Sequence, residues 1–254
     1  MVQLNVDNQA YDIDGILFDK DGTLIDFGSL WVNWAEELIT RVVSTVKLPE
    51  EYKNILSQSI GYDSNERDWD AKGPLAIGSM DDIVTILAYQ LYAFGISWDQ
   101  ALELVTNVYI QTNRQTGWKE KIRPITGLQS FLDEAKACSI KLGVVTSDNQ
   151  DRAIDHLKAL KIDSYFASVI GHDQVTVGKP FPEMVEKACD QLNLTSDRAI
   201  IIGDSDGDMV LGKKSGTAAS IGIVAEPSHS SSHFRHADHI IHSYHDLFIH
   251  TNAK

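Results

Sequence analysis

The sequence predicts an α/β protein: a Rossmann-like parallel sheet core with an inserted all-helical cap domain. Two observations carry this expectation. From residue 127 onward, short apolar runs that end in polar clusters alternate with amphipathic helical segments, the pattern of a parallel sheet with helices on both faces. Between the first apolar run and that alternating region, residues 28–117 show helical spacing and little strand character. The core is therefore assigned to residues 1–25 plus 120–254 and the helical cap to 26–119. A chain of 254 residues suits one large domain or a core with a smaller insert, and a hydrophobic fraction of 43% can fill such a core.

In chain order, residues 12–18 read as a first strand. Leu30, Trp31, Trp34, Leu38 and Ile39 then recur at helical spacing. Residues 75–94 repeat the signal, with Ile83, Ile86, Leu87, Leu91 and Phe94 on one face and Gly95 as the stop. A further helix is expected over 98–111, with Ser97 as its N-cap. The alternating region follows. Helices are expected over 128–137, 151–160, 183–192 and 209–214, and strands over 141–146, 168–171, 199–203, 220–224 and 239–241. The stretch 227–236, rich in Ser and His, reads as a surface loop. Ligands of such sheets bind beyond the carboxyl ends of the strands.

The formal net charge of -14 argues against a nucleic acid polymer or an anionic membrane as partner. A small anionic substrate remains compatible if cations gather at its pocket. Cys138 and Cys189 match no zinc spacing and read as buried thiols. Asp7, Asp12 and Asp14 interrupt any signal-peptide pattern. No apolar run reaches the roughly 20 residues that span a bilayer. The expected location is cytoplasmic, as a monomer or homodimer.

The chemistry-bearing residues stand at the ends of the apolar runs. Asp19 ends the first. A carboxylate there can attack phosphorus and split one hard step into two. Asp21, two residues on, can give a proton to a leaving oxygen and later take one from water. Gly22 permits a tight turn that Thr23 can hold by hydrogen bonding. Alone, this stretch reads equally well as a solvated Asp-Gly turn. The run 199–202 leads into Gly203-Asp204-Ser205-Asp206-Gly207-Asp208. Magnesium takes hard oxygen ligands and keeps several waters. Asp19, the Asp21 carbonyl and Asp204 can supply ligands, and Asp208 can join directly or through water. Asp206 reads as a solvent-facing neighbour. A calcium loop is disfavoured, because the twelfth position from Asp204 is Ser215 rather than Glu. Thr146 ends the strand over 141–145, and its hydroxyl can hold phosphoryl oxygens. Lys179, before Pro180, can neutralise the transferring group. No Gly-x-Gly-x-x-Gly fingerprint or Walker-type loop competes, and Ser205 lacks the nucleophile context of serine hydrolases. The histidines crowding residues 229–250 read as surface residues rather than a metal site.

These four pieces together resemble the haloacid dehalogenase superfamily of phosphohydrolases. They are Asp19-Lys20-Asp21-Gly22-Thr23-Leu24, Thr146 after Val144-Val145, Lys179-Pro180, and the run from Gly203 to Met209. The resemblance implies that Asp19 is the nucleophile and Asp21 the acid–base. It implies that Thr146 and Lys179 bind phosphate, and that the late Asp pair serves Mg2+. It likens residues 26–119 to the helical cap that closes over the core and selects a small phosphomonoester. The dehalogenase branch lacks an Asp at the position of Asp21, so phosphate chemistry is favoured. The arrangement most resembles phosphoglycolate phosphatase-like enzymes. A sugar-phosphate mutase is disfavoured, because its Gly-x-Ser-Arg type signature is missing near 56–67. A non-catalytic phosphate- or partner-binding protein is disfavoured because every motif residue is retained. Arg67, Lys72, Arg114, Lys119 and Arg123 are the cations available for substrate selection.

Overall fold

The computed structural model describes residues 2–114, 116–226 and 229–251. The chain divides into two compact units. Residues up to Asp26 join those from Ile122 onward, and Phe27–Lys121 form the other unit. Among the described residues, no helix is long and apolar enough to cross a membrane.

The first unit opens with β1 (Val2–Val6) and β2 (Gln9–Ile13), followed by β3 (Gly15–Phe18). The single strand expected over 12–18 is interrupted at Asp14. Its N–H donates to the Arg198 carbonyl and its own carbonyl accepts from Lys141 N–H. At that residue the chain passes from one sheet to another. β2 pairs antiparallel with β1, and β1 with β11 (Leu247–Thr251). This small sheet was not expected. Leu4, Val6, Ile13, Leu247 and Ile249 are its buried positions, and one or two inward residues per strand are too few for a period-two signal to stand out.

In the second unit a turn of π-helix, Gly28–Val32, leads into α1 (Asn33–Val46). After it come α2 (Tyr52–Ser59), α3 (Pro74–Ile77), α4 (Met80–Ala93) and α5 (Trp98–Asn113). Between α2 and α3 lies one two-residue antiparallel pair, β4 (Tyr62–Asp63) with β5 (Asp68–Trp69). The one helix expected over 75–94 is two. Gly78 and Ser79 are extended, and Ser79 starts α4 with a capping box. Its Oγ accepts from Asp82 N–H at 3.2 Å while the Asp82 carboxylate accepts from Ser79 N–H at 2.8 Å. Gly95 ends α4 with φ +92. Ser97 occupies the N-cap position of α5 but makes no capping hydrogen bond.

The main sheet of the first unit is the expected α/β core. Its strands are β3, β6 (Lys141–Val145), β7 (Ser168–Ile170), β8 (Ala199–Gly203), β9 (Ala219–Ile223) and β10 (His239–Ile241). All pair in parallel, in the order β10-β9-β8-β3-β6-β7. β3, β8 and β9 are buried along their whole length, which is why they read as continuous apolar runs. Helices α6 (Leu128–Ala137), α7 (Gln150–Ala159), α8 (Glu183–Leu192) and α9 (Asp206–Ser215) join them. From β3 the chain adds strands outward on one side, then returns to place β8 on the other. The order therefore reverses between β3 and β8, which is where open α/β sheets bind ligands. Asp19 and Asp204 directly follow these two strands.

Candidate active site

The register brings the first two motifs level. Phe18 lies opposite Ile202, and Asp19 N–H donates to the Ile202 carbonyl at 2.8 Å. Asp19, Asp204 and Asp208 each offer a carboxylate oxygen within 4.8 Å of the others. Lys179, from the loop before α8, reaches into this cluster. Its Nζ donates to Asp19 Oδ1 at 2.5 Å and to Asp208 Oδ1 at 2.6 Å. The turn after Asp19 must pass against Asp204. Gly22 has φ +75, and a Cβ there would overlap the Asp204 carboxylate, so only glycine fits.

Burial dominates the electrostatics. It pushes the Asp19 carboxyl up to about 6, with Asp208 and Asp21 adding to the rise and Lys179 opposing it. Burial, then Asp19 and Asp208, hold Asp204 well above the usual carboxylate range. For Lys179 burial acts downward, but Asp19 and Asp208 outweigh it and keep the ammonium charged. Three carboxylates thus face one ammonium, a buried excess of negative charge that a cation would relieve. Hard oxygen donors at this spacing fit a magnesium ion. Asp19, Asp204 and Asp208 are the side chains that would hold it.

The other candidates sit around this cluster. The Asp21 carboxylate is not among the three. Lys20 Nζ donates to both its oxygens, at 2.7 and 2.6 Å. Thr146 stands one strand over and one residue further along than Asp19. Its buried Oγ1 accepts from Asp148 N–H at 3.1 Å. The expectation that the Thr23 hydroxyl holds the turn is corrected. That hydroxyl makes no hydrogen bond among the described residues. The turn is already closed by backbone bonds, with Leu24 and Ile25 N–H donating to the Lys20 carbonyl and Gly22 N–H to the Ile25 carbonyl. Tyr244 OH clamps it by donating to the Thr23 carbonyl at 3.0 Å.

Sequence reasoning missed what orients Asp208. α9 begins three residues before its expected start, because Ser205 caps it. Ser205 Oγ accepts from Asp208 N–H at 3.3 Å, and Asp208 Oδ2 accepts from Ser205 N–H at 3.1 Å and from Ser205 Oγ–H at 2.6 Å. The box occupies one Asp208 oxygen and leaves Oδ1 facing Lys179. A Ser-x-x-Asp spacing ahead of a helix is the readable signal. Ser205→Ala is expected to destabilise the protein by about 1 kcal/mol. It should also lower turnover more than 10-fold by freeing the Asp208 rotamer (~1.4 kcal/mol per decade). Melting curves and steady-state rates on one preparation check both.

Among the described residues, the histidines of 229–250 join no cluster of three or more potential metal-ligating side chains. Pro227 and Ser228 of the expected loop lie outside those residues. His233 Nε2 donates to the Asp204 carbonyl at 3.0 Å. Asp206 accepts from the N–H groups of Arg235 and His236, at 2.8 and 2.9 Å, and pairs with the His236 ring. It braces that segment and stays out of the carboxylate cluster. Of the candidate selecting cations, Arg67 is engaged by Glu36 and by Asn33.

An open parallel sheet with an aspartate at each side of its switch point and a lysine bridging Asp19 to Asp208 defines a class, and comparison with known proteins gives it a family. Residues 16–221 match the family model of haloacid dehalogenase-like hydrolases. The chain belongs to that family. A pyrophosphatase PpaX from Bacillus velezensis is 27% identical over 209 residues, covering 81% of both chains. The crystal structure of a predicted phosphoglycolate phosphatase from Haemophilus somnus superposes with TM-score 0.67 at 18% identity, covering 92% of this chain and 96% of that one. A β-phosphoglucomutase from Clostridium difficile gives TM-score 0.58 at 19% identity, covering 91% of each. The two structures share the fold. Family membership and the pyrophosphatase relative bear out the expected enzyme class, a phosphoric monoester hydrolase.

Proposed function

We propose that this protein is a Mg2+-dependent phosphatase that hydrolyses a small phosphomonoester through an aspartyl-phosphate on Asp19. The observation that carries this reading is the convergence of Asp19, Asp204, Asp208 and Lys179 at the β3/β8 switch point. An Asp19 oxygen attacks phosphorus, and the bond to the ester oxygen breaks. Asp21 gives its proton to that oxygen, releasing an alcohol. Water then attacks the aspartyl-phosphate, Asp21 takes its proton, and phosphate leaves with Asp19 restored. Lys179 offsets negative charge on the nucleophile and the transferring oxygens. Thr146 is assigned to binding phosphoryl oxygens. Asp19, Asp204, Asp208 and the Asp21 carbonyl would hold Mg2+, which when bound would supply charge stabilisation to the phosphoryl group. Substrate selection is assigned to the helical segment 26–119 and the chemistry to 1–25 plus 120–254. Two free cysteines, Cys138 and Cys189, accord with a cytoplasmic enzyme.

The test is phosphate release from phosphoglycolate, hexose phosphates, nucleoside monophosphates, pyrophosphate and an aryl phosphate, with Mg2+ or chelator. Chelator-sensitive release, strongest on one compound, is expected. A folded protein that releases phosphate from none of them, or that only isomerises a sugar phosphate, overturns the reading.

A further inference from the structure

Between Asp19 and Asp21 lies a lysine that the mechanism above leaves without a task. Lys20 is fully buried. Its Nζ touches both oxygens of Asp21, His156 Nδ1 at 3.0 Å, and Asp148 Oδ2 at 3.4 Å. Asp148 is itself fixed. Its Oδ1 accepts from Asn149 N–H at 2.9 Å and lies 3.5 Å from Arg152 Nε, and its own N–H donates to Thr146 Oγ1. Burial, then the charges of Lys20 and Arg152, hold the His156 ring far below its ordinary range. The ring is neutral, and its Nδ1 accepts from the ammonium. A buried ammonium is tolerated only when paired and hydrogen-bonded. Two of its partners, Asp148 and His156, are closed off, with side chains 4% exposed. Asp21, at 16%, is the partner that opens outward.

We propose that Lys20 is a positioning residue: anchored by Asp148 and His156, its ammonium grips both Asp21 oxygens and sets that carboxyl group for proton transfer to the leaving oxygen. The inference rests on the phosphatase reading. It extends the site inward to Lys20, Asp148 and His156, and through the Thr146–Asp148 contact it ties the acid–base to the β6 loop. A purely structural ion network would support every step of the reaction equally. A positioning role serves chiefly the step that needs a proton.

The test therefore compares two leaving groups. kcat/KM reports the steps up to departure of the alcohol. An alkyl phosphate needs a proton on its leaving oxygen, whereas nitrophenyl phosphate expels a stable anion without one. Lys20→Met is expected to lower kcat/KM on the alkyl phosphate by roughly 10²-fold or more and on nitrophenyl phosphate far less. Because Lys20→Met leaves Asp148 short of a countercharge, His156→Leu is made beside it. That variant keeps both charges, removes only the ring acceptor, and should show the same split at smaller amplitude. His156→Gln, which retains an acceptor, should restore the alkyl rate in part. Equal losses on both substrates in folded variants, or no loss on the alkyl phosphate, overturn the positioning role while leaving the phosphatase reading intact. If Lys20→Met does not fold, the split in His156→Leu decides. A wild type silent on both substrates overturns the phosphatase reading and this inference with it.

Discussion

Replacing Asp19 by Asn is expected to lower kcat by roughly 10⁴-fold or more, the scale of removing a nucleophile that acts through a covalent intermediate. Asn matches Asp in shape, so the β3 end and its bond to Ile202 persist, but its amide cannot form the aspartyl-phosphate. Stability should move the other way. Burial, supported by Asp208 and Asp21, raises the folded Asp19 carboxyl to about 6, above its unfolded value of about 4. An acid whose pKa is raised on folding loses stability as pH climbs from the unfolded to the folded value. At pH 7 the metal-free wild type carries that penalty in full, and the Asp19→Asn variant carries none. Lys179 loses one partner but keeps Asp208 at 2.6 Å. In chelator at pH 7 the variant should melt no lower than wild type, and the difference should vanish below about pH 4. Phosphate release and circular dichroism melts on the same samples read both effects. A folded variant with substantial turnover removes Asp19 as nucleophile. A lower melting temperature at pH 7 refutes the electrostatic account.

The contrast between what the sequence disclosed and what it hid follows from where each signal originates. Asp19 and Asp204 were legible because fully buried parallel strands read as apolar runs and a carboxylate at their end stands out. Lys179 was legible from its place in a recognisable order of motifs. The alternating region of the sheet followed from the same periodicity. Lys20 was not legible as a buried ammonium. A lysine between two aspartates reads as solvated, and its burial depends on His156, 136 residues away in sequence. Asp148 lies two residues past Thr146 and carries no local signal of its own, although the β6 turn places it against that lysine. The β1–β2–β11 sheet escaped for a different reason: β11 lies at the far end of the chain from β1 and β2, so its pairing leaves no local trace, and the β1–β2 hairpin has too few inward residues to show a period of two. Gly78-Ser79 did carry a local signal, a Ser-x-x-Asp box, which the hydrophobic periodicity over 75–94 overrode.

Magnesium binding should be visible without turnover. If Asp19, Asp204 and Asp208 hold the ion, it relieves a buried excess of negative charge and stabilises the folded state by mass action. At a concentration 100 times Kd that is about 2.7 kcal/mol, a rise in Tm of roughly 5–10 °C for a chain of this size. The rise should be larger at pH 7.5 than at pH 5. Burial and mutual repulsion raise Asp19 to about 6 and Asp204 well above its ordinary range, so at pH 5 protons occupy oxygens the ion needs, and binding must expel them. Asp204→Asn removes one ligand and one negative charge. Its metal-free Tm at pH 7 should equal or exceed that of wild type, because the raised carboxyl destabilises the fold once ionised. Its Mg2+-induced rise should shrink to near zero. Equal ionic strength from NaCl separates site binding from general screening, which acts on exposed charges and spares buried ones. A Mg2+ shift that is independent of pH, or that persists at full size in Asp204→Asn, would place the ion elsewhere and leave the three carboxylates to be balanced by Lys179 and protons alone.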